Sequence, residues 1–469
     1  MQSGSPTRAR RRRGAGLALA LSACLTACAS EPAGRTEPAA ARSAPDAAAV
    51  ASAALEPKAS SAQSAVAEPG AAEPGAAEPG APFFEADAPD DWLPRRTARA
   101  VGLDPEALAR LVADAAASDS DSLVVLRGSE LVVERYFGRP RGPIETRSLT
   151  KSVVALGVLA LVADGAIASL DAPLATFFPA LGAGDKSAIT LRHVLTHTSG
   201  LASTESGAEL DAAPDRLAYA LARPLVAPPG QRFAYSNEAT ALLSGVVAAA
   251  AGRPVDAYLA ERLFAPLGIR DVAWARDRAG HVQTYFGLRI GARDLARLGM
   301  LVRDLGRFAG RALLPPELVR AAVTPSAREP SYGLLWWLRT PLAWTPARAA
   351  ALARTGFGRT DALAPLLGRR FASEQLFFDA ARPLLDARAD EGLRALRRGG
   401  MALLEPEPSA ASAFYGVGAL GQRLVVYPAA ELVVVRQHRR RAADATRSAA
   451  VTWVELFASV EALGPGLAP

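Results

Sequence analysis

The stretch that decides the fold runs Arg147-Ser148-Leu149-Thr150-Lys151, and an apolar run from Ser152 to Ala163 follows it. If residues from Ser148 onward are helical, Ser148 and Lys151 are three residues apart and lie on one face of the helix. The hydroxyl and the amine are then close enough to contact each other. Such a pair is a nucleophile with a base beside it. The run continues to Asp164 and closes at Gly165, which predicts a helix buried at the centre of the fold.

Lysine is rare in this chain. Of its 53 lysines and arginines, three are lysines: Lys58, Lys151 and Lys186. An amine can lose its proton, whereas a guanidinium group cannot. Burial that lowers a lysine pKa by roughly 2 to 3 from the ordinary ~10.4 makes it a base at neutral pH. By itself the Ser-x-x-Lys pattern leaves an exposed helix face open as the alternative.

The length and composition indicate a sizeable folded unit. The chain has 469 residues, of which 50% are hydrophobic and 21% charged. These values predict one two-lobed unit or two domains with a large core.

Residues 1–28 form a separate N-terminal segment. Arg8 and the arginines from 10 to 13 make a basic region, and an apolar run from Gly14 to Leu21 follows. Leu25-Thr26-Ala27-Cys28 resembles a bacterial lipoprotein signal, so we expect a lipid anchor on Cys28 that holds the protein at a membrane of the cell envelope. Cys24 ends an overlapping pattern, and an ordinary secretory signal cleaved near Ala29 is the other alternative.

The remaining charge and cysteine content exclude several classes of protein. Removal of residues 1–27 takes away five arginines and no acidic residue, so the formal net charge falls from +6 to +1. We therefore expect no nucleic-acid partner. The two cysteines both lie in the N-terminal segment, which leaves no disulfide and no cysteine-based metal site for the folded part.

A linker is predicted over residues 29–82. Its composition is Ala, Pro, Ser, Glu and Gly, and the five-residue repeat from Ala67 to Ala71 recurs twice before Pro82. Because large apolar side chains are nearly absent, this segment buries too little surface to offset its ordering entropy. The folded domain is therefore predicted over 83–469.

The domain pattern predicts an α/β (α+β) fold. A helix over 105–117 and strands over 123–126 and 131–137 lie at one end, and strands over 423–427 and 432–436 with a helix over 443–463 lie at the other. These patterns predict one lobe, an antiparallel sheet with terminal helices, built from both ends of the chain. Helical patterns between them predict a second, all-helical lobe; they span 191–195, 215–221, 239–251, 255–264, 292–305 and 316–323.

A second candidate motif is Tyr235-Ser236-Asn237, which follows the turn Pro228-Pro229-Gly230. Asn237 is the only asparagine in the chain. A tyrosine near a lysine supplies a second acid or base, and an amide can bind a substrate carbonyl. An N-cap role for Asn237 is the alternative, although it leaves Tyr235 without a role.

These motifs, together with the run from His193 to Leu201 (His-Val-Leu-Thr-His-Thr-Ser-Gly-Leu), resemble the serine β-lactamase-like superfamily. That superfamily includes class C β-lactamases, D-alanyl-D-alanine carboxypeptidases, esterases and 6-aminohexanoate-dimer hydrolases. The likeness covers about residues 90 to 460, including the stretches 286–299 and 332–337. The resemblance implies a β-lactamase/transpeptidase-like fold without cofactor or metal, a Ser148 nucleophile, Lys151 and Tyr235 as the acid/base pair, and Asn237 as a substrate-positioning residue.

The third motif of that superfamily, a cation, then a hydroxyl residue, then glycine, is altered here. The matching stretch is Gly416-Val417-Gly418, with neither a cation nor a hydroxyl. Gly418 still lets the backbone approach a ligand, and the Ala419 N–H is expected to pair with the Ser148 N–H as an oxyanion hole. Because the missing cation normally meets a substrate carboxylate, β-lactams and D-alanyl peptides are less expected than esters or amides.

The remaining histidines and arginines indicate no further chemistry. His193 and His197 are spaced i, i+4, but Val194 occupies the position of the acid in a zinc helix, so capping and packing are expected of them. The same is expected of His281 and His438. The basic run 436–441 is expected to be a solvated surface segment rather than a nucleic-acid site.

An insertion is predicted at about 340–413, with helical patterns at 347–354, 374–385 and 390–398. We expect it to cap or narrow the mouth of the cleft; a surface decoration remote from the site is the alternative. The sequence thus predicts a serine hydrolase that forms an acyl-enzyme with a small ester or amide. A β-lactamase or carboxypeptidase, and a non-catalytic surface binder with the same fold, are the two other hypotheses.

Overall fold

The computed structural model describes residues 83–84, 93–204, 207–371, 374–398, 403–407, 411–439, 459–464 and 467. The predicted signal with Cys28, the predicted linker over 29–82 and most of the helix predicted over 443–463 lie outside the described residues. No helix within the described part of the chain is long and apolar enough to cross a bilayer.

The strands of the described residues form four sheets. In chain order they are β1 (Phe83–Phe84), β2 (Ser122–Arg127), β3 (Glu130–Arg135), β4 (Ile144–Glu145), β5 (Val272–Trp274), β6 (Leu288–Ile290), β7 (Arg307–Phe308), β8 (Arg311–Ala312), β9 (Trp337–Arg339), β10 (Leu342–Ala343), β11 (Arg370–Phe371), β12 (Glu405–Pro406), β13 (Ala413–Gly418), β14 (Gln422–Tyr427) and β15 (Leu432–Gln437). The largest sheet has seven strands in the order β1-β3-β2-β15-β14-β13-β9. All its pairings are antiparallel except that of β1 with β3.

The seven-stranded sheet joins the two ends of the domain, as the sequence predicts. Strand β15 pairs with β2, and Val434 lies opposite Val125. Every residue of β14 and β15 is buried. Because neighbouring side chains on a strand point to opposite faces, this burial shows that both faces of the sheet are covered. The valine and leucine content of these strands supplies the apolar surface on each face.

The helices confirm the predicted helical segments to within a few residues. They are α1 (Pro105–Ala117), α2 (Thr150–Ala163), α3 (Leu191–Leu195), α4 (Ala208–Ala212), α5 (Arg216–Ala222), α6 (Asn237–Ala241), α7 (Leu243–Ala251), α8 (Val255–Leu259), α9 (Ala292–Arg303), α10 (Pro316–Ala322), α11 (Pro346–Ala353), α12 (Glu374–Ala381) and α13 (Ala387–Arg398). The predicted 255–264 helix changes to a π-helical turn at Ala260–Phe264. A small sheet of β4, β6 and β5 accompanies these helices.

Helix α2 is the central helix that the apolar run predicts. Its residues from Thr150 to Leu161 are all buried. At Gly157 an added Cβ would lie 2.6 Å from Cδ2 of Leu259, so the missing side chain lets α8 pack closely against α2. The helix is followed by Gly165 in the left-handed conformation (φ +74°), the expected terminating residue.

The insertion packs a hydrophobic core of its own. Strands β11, β10 and β12 form its sheet, and the buried residues of this second core are Trp344, Leu352, Leu363, Leu366, Phe371, Phe377, Phe378, Ala381, Leu393, Leu403 and Leu404. The polypeptide enters through β9 and returns through β13, which are neighbours in the main sheet. Its predicted effect on the cleft mouth stays a prediction, as does the alternative of a remote surface decoration.

Candidate active site

Ser148 lies in a 3-10 turn rather than in the central helix. The turn spans Arg147–Leu149 and leads directly into α2. Arg147 has φ +52°, which is left-handed backbone and cannot continue an α-helix. The prediction of helix from Ser148 onward is therefore wrong by two residues, because the chain must turn sharply out of β4 first. The Oγ1 atoms of Thr146 and Thr150, 2.9 Å apart, bridge the two ends of this turn.

The hydroxyl and the amine nevertheless meet as the spacing predicts. Lys151 Nζ donates to Ser148 Oγ at 3.2 Å, and both residues are buried, with 1% and 4% of their surface exposed. After Arg147 the backbone is right-handed at Leu149 (φ −61°) and Thr150 (φ −45°), so the three-residue offset still places both side chains on one side. The sequence therefore located this contact correctly even though it assigned the wrong backbone state to Ser148.

A second acceptor for Lys151 is the main-chain carbonyl of Tyr285, 2.7 Å from Nζ. The Tyr285 hydroxyl donates to Oδ1 of Asp211 at 2.8 Å, and burial raises the pKa of this phenol far above its ordinary value. Tyr285 is therefore a neutral phenol that anchors its own backbone. Sequence reasoning missed this residue, since any residue type carries a carbonyl and no motif marks it.

Tyr235 lies beside the same amine. Lys151 Nζ is 5.0 Å from the centre of the Tyr235 ring, and the ring is half-buried. Trp337 of β9 stacks on Tyr235 with ring centres 6.3 Å apart and an interplanar angle of 15°, and Tyr332 contacts that tryptophan edge-on at 4.7 Å. The structure thus brings Ser148, Lys151 and Tyr235 together against an aromatic wall.

Asn237 begins helix α6 but does not cap it. The N-cap is Ser236, whose Oγ accepts the Ala239 N–H at 2.9 Å. The alternative assignment of Asn237 as the N-cap is therefore wrong. Asn237 is 8% exposed, and its Oδ1 is buried without a hydrogen-bond partner among the described residues. A buried amide oxygen without a partner is costly unless a ligand or water meets it.

The altered third motif packs tightly against the Ser148 turn. Gly416 and Gly418 end strand β13, where a Cβ on Gly418 would lie 2.1 Å from the Thr146 carbonyl oxygen. A Cβ on Gly416 would lie 2.9 Å from Cγ of Leu149 and 3.1 Å from Oγ of Ser152. A side chain at this position, which holds a cation in the resembled superfamily, would therefore require Leu149 and Ser152 to shift. Ala419 follows directly and is buried.

Two histidines have the capping and packing roles that the sequence predicts. His193 forms a capping box with Thr190 at the start of α3. His197 is buried with its ring centre 4.3 Å from that of Tyr235, and its Nδ1 accepts the Ser236 N–H at 3.2 Å. Burial, and secondarily the charge of Lys151, lowers the pKa of His197 well below its ordinary value. His197 is thus a neutral support for the tyrosine segment.

This burial predicts a pH-dependent stability. The unfolded chain takes up a proton on His197 near pH ~6.5 and the native chain does not, so stability present above that pH is lost as the pH falls. The groups that face the ring are Lys151, Tyr235 and Tyr332. In His197→Asn, we expect the free energy of unfolding to fall less steeply between pH 6.5 and 5, by up to about 1.4 kcal/mol per pH unit. Urea titrations of both proteins across this range test the prediction, and equal slopes would contradict it.

Two other groups of residues were candidates for function: the basic run that begins at Arg436, and a cluster of two aspartates with a histidine. Arg436 is 3% exposed rather than solvated as predicted; burial lowers its pKa to about 10. Asp215, Asp277 and His281 form a partly buried cluster whose carboxylate and imidazole atoms are of the kind that bind metal ions. Asp277 accepts the main-chain N–H groups of Arg216 and His281, and Asp215 caps α5, so local hydrogen bonds account for both carboxylates.

The chain combines an antiparallel sheet and a set of helices with a buried serine–lysine pair at the start of the central helix. Together these features define a class of serine hydrolases. The family model described as beta-lactamase matches residues 108–452, and the chain belongs to this family.

Similar proteins include esterases and peptidases. Esterase EstB of Burkholderia gladioli is 35% identical over 188 residues, which are 34% of this chain and 47% of that protein. The D-alanyl-D-alanine-carboxypeptidase/endopeptidase AmpH of Escherichia coli K12 is 28% identical over 172 residues, 33% of this chain and 44% of that protein. The matched part thus spans less than half the length of these two relatives.

A solved structure shows the same fold. A candidate 6-aminohexanoate-dimer hydrolase from Bacillus anthracis superposes with a TM-score of 0.52 at 19% identity, over 75% of this chain and 81% of that one.

Proposed function

We propose that this chain hydrolyses small esters, and more slowly amides, through an acyl-enzyme on Ser148. The observation that carries the proposal is the 3.2 Å contact of Lys151 Nζ with Ser148 Oγ inside a buried site. Buried hydroxyl and amine groups at hydrogen-bond distance are the arrangement that activates a serine. Esterase activity in a relative that is 35% identical over part of its length supports the choice of ester.

The proposed reaction uses these groups in turn. Lys151, assisted by Tyr235, takes the proton from Ser148, and Oγ forms a bond with the ester carbonyl carbon while the carbonyl π electrons move to its oxygen. The N–H groups of Ser148 and Ala419 stabilise this oxyanion. As the oxyanion re-forms the carbonyl and the C–O bond breaks, Tyr235 gives its proton to the leaving alcohol and regains one from Lys151. Water then attacks the acyl-enzyme, and the same groups transfer its protons. This step releases the acid and restores the Ser148 hydroxyl.

Two features of the site indicate which substrates fit. Gly416 offers no cation, and a Cβ there would lie 2.9 Å from Cγ of Leu149, so a substrate carboxylate lacks that partner at the third motif. The half-buried Tyr235 ring is backed by the buried Trp337 ring, and this aromatic ring favours an apolar acyl or alcohol group. Asn237, with its unpartnered Oδ1, is placed to orient a polar group of the substrate. We infer a neutral ester with an apolar portion as the preferred substrate class.

The carboxypeptidase and β-lactamase alternative is favoured by the similarity to AmpH. The full chain should be tested with aryl esters of increasing acyl length, an anilide, a chromogenic cephalosporin and a D-alanyl-D-alanine peptide. We expect ester kcat/KM to exceed that for the cephalosporin and the peptide by at least about 100-fold, because the carboxylate of the latter two is left without its cation.

The lipid anchor at Cys28 belongs to the same proposal, with the enzyme held at the bacterial cell envelope.

Ser148→Ala is the control for this panel. Wild-type protein should give a burst of product with the activated ester and covalent labelling by a fluorophosphonate, and Ser148→Ala should give neither. The absence of both signals in the wild type would refute acyl transfer. Cephalosporin turnover comparable with ester turnover would reverse the order of the two functions.

A further inference from the structure

Two buried arginines lie behind the third motif. Arg423 of β14 is 4% exposed and lies opposite Val417 of β13 in the sheet. Its Nη1 donates to the carbonyl of Gly418 at 3.1 Å and to that of Gln422 at 2.7 Å. Arg436 of β15 donates from Nη1 to the carbonyl of Gly421 at 2.9 Å. Guanidinium groups therefore hold the main chain on both sides of Ala419.

The bond to Gly418 acts on the peptide group that matters for catalysis. The Gly418 carbonyl and the Ala419 N–H belong to one planar trans peptide unit, so the two point in opposite directions. A donor that fixes the direction of the carbonyl also fixes the direction of the N–H. A charged donor on the carbonyl oxygen further polarises the N–H, because linked hydrogen bonds strengthen one another in a buried site.

The 3-10 turn at Ala419–Gly421 contains left-handed backbone. Leu420 has φ +63° and Gly421 has φ +84°, so two consecutive residues after Ala419 are left-handed. Leucine pays a conformational cost in that region, and such backbone persists when surrounding contacts hold it. The hydrogen bonds from Arg423 and Arg436 are among the contacts that hold it here.

We propose that Arg423 is a positioning residue for the oxyanion hole: its guanidinium holds the Gly418–Ala419 peptide so that the Ala419 N–H points at the oxyanion formed on the carbon that Ser148 attacks. This inference rests on the proposed acyl-transfer function. The third motif has lost its cation on the substrate side, and Arg423 supplies one behind the same strand. There the charge acts on the peptide group and not on a substrate carboxylate.

The test compares Arg423→Lys, Arg423→Gln and Arg423→Met with the wild type. With the preferred aryl ester, we expect kcat to fall about 10- to 100-fold in Arg423→Met, less in Arg423→Gln and least in Arg423→Lys, with KM changed less than about threefold. The inhibition constant of a boronic acid, which binds Ser148 as a tetrahedral anion, should rise by the same factors as kcat/KM falls. If Arg423 had a merely structural role, the inhibition constant and kcat/KM would not change by the same factors.

Arg303→Met is the matched control. The Arg303 side chain is 6% exposed; its guanidinium pairs with Asp304 and also donates to the carbonyls of Gly128 and Glu431 in turns of the sheet. We expect its turnover to stay within twofold of the wild type. Folded Arg423→Met with unchanged kcat overturns the inference; if that variant does not fold, equal kcat in Arg423→Gln, Arg423→Lys and the wild type overturns it. Wild-type protein without Ser148-dependent turnover refutes the proposed function instead.

Discussion

Lys151→Met should lower kcat/KM for the preferred ester by about 1,000-fold or more, the range expected for loss of a base that acts directly on the nucleophile. The amine lies 3.2 Å from Ser148 Oγ and is 1% exposed, so solvent cannot easily replace it. Lys151→Arg should be as inactive, because guanidinium keeps the positive charge but cannot accept a proton. Steady-state kinetics and the rate of fluorophosphonate labelling measure both effects.

Lys186→Met is the matched control for this prediction. Lys186 lies in a 3-10 turn at Gly184–Ala188, and its Nζ donates to the Leu221 carbonyl at 2.9 Å. Loss of this contact should leave ester turnover unchanged. Retention of more than a tenth of wild-type kcat/KM in folded Lys151→Arg would show that charge, and not proton transfer, is the contribution of Lys151.

Gly418→Ala should lower kcat/KM by at least about 100-fold and destabilise the protein by about 1–3 kcal/mol, the usual cost of overpacking. The new Cβ would lie 2.1 Å from the Thr146 carbonyl oxygen and 2.8 Å from Cβ of Arg147. Backbone atoms cannot rotate away, so strand β13 and the Ser148 turn must separate. That separation moves the Ala419 N–H relative to Ser148.

Two other glycines set the scale of this effect. Gly416→Ala meets side chains, Leu149 and Ser152 at 2.9 and 3.1 Å, which can shift, so its loss of activity should be smaller. Gly358 in the insertion has no atom within 4 Å of an added Cβ, so Gly358→Ala should match the wild type in both kcat/KM and urea midpoint. If Gly418→Ala kept wild-type activity, the close approach of β13 to the turn would have no role in catalysis.

Much of this site could be predicted from local sequence. The Ser148–Lys151 contact depends on a three-residue offset, and the Tyr235 segment depends on a turn and a helix start. Such short-range geometry is encoded within a few residues. The backbone state of Ser148 could not be predicted in the same way, because the left-handed Arg147 arises where β4 must turn into α2, a constraint set by packing against β13.

Arg436 shows why charge patterns mislead inside a sheet. As part of a basic run it resembled a surface segment, yet its guanidinium donates to Ser120 Oγ and to the carbonyls of Ser118 and Gly421. Two of those partners are more than 300 residues away in the sequence. A buried arginine is tolerated when such acceptors surround it, and no local pattern reveals them.

The sequence by itself determined the central helix, the hairpins at both ends, the helical segments and the Ser148–Lys151 pair, because periodicity and short spacing act within one element. Tyr235 was assigned to the same site through the family resemblance. The tertiary structure alone decided the carbonyl of Tyr285 on Lys151, the separate core of the insertion and the arginines behind Ala419. Each of these contacts joins elements that are distant in the sequence or depends on which face of a strand is covered. Their positions follow from packing the whole chain, and this packing orients the groups of the site.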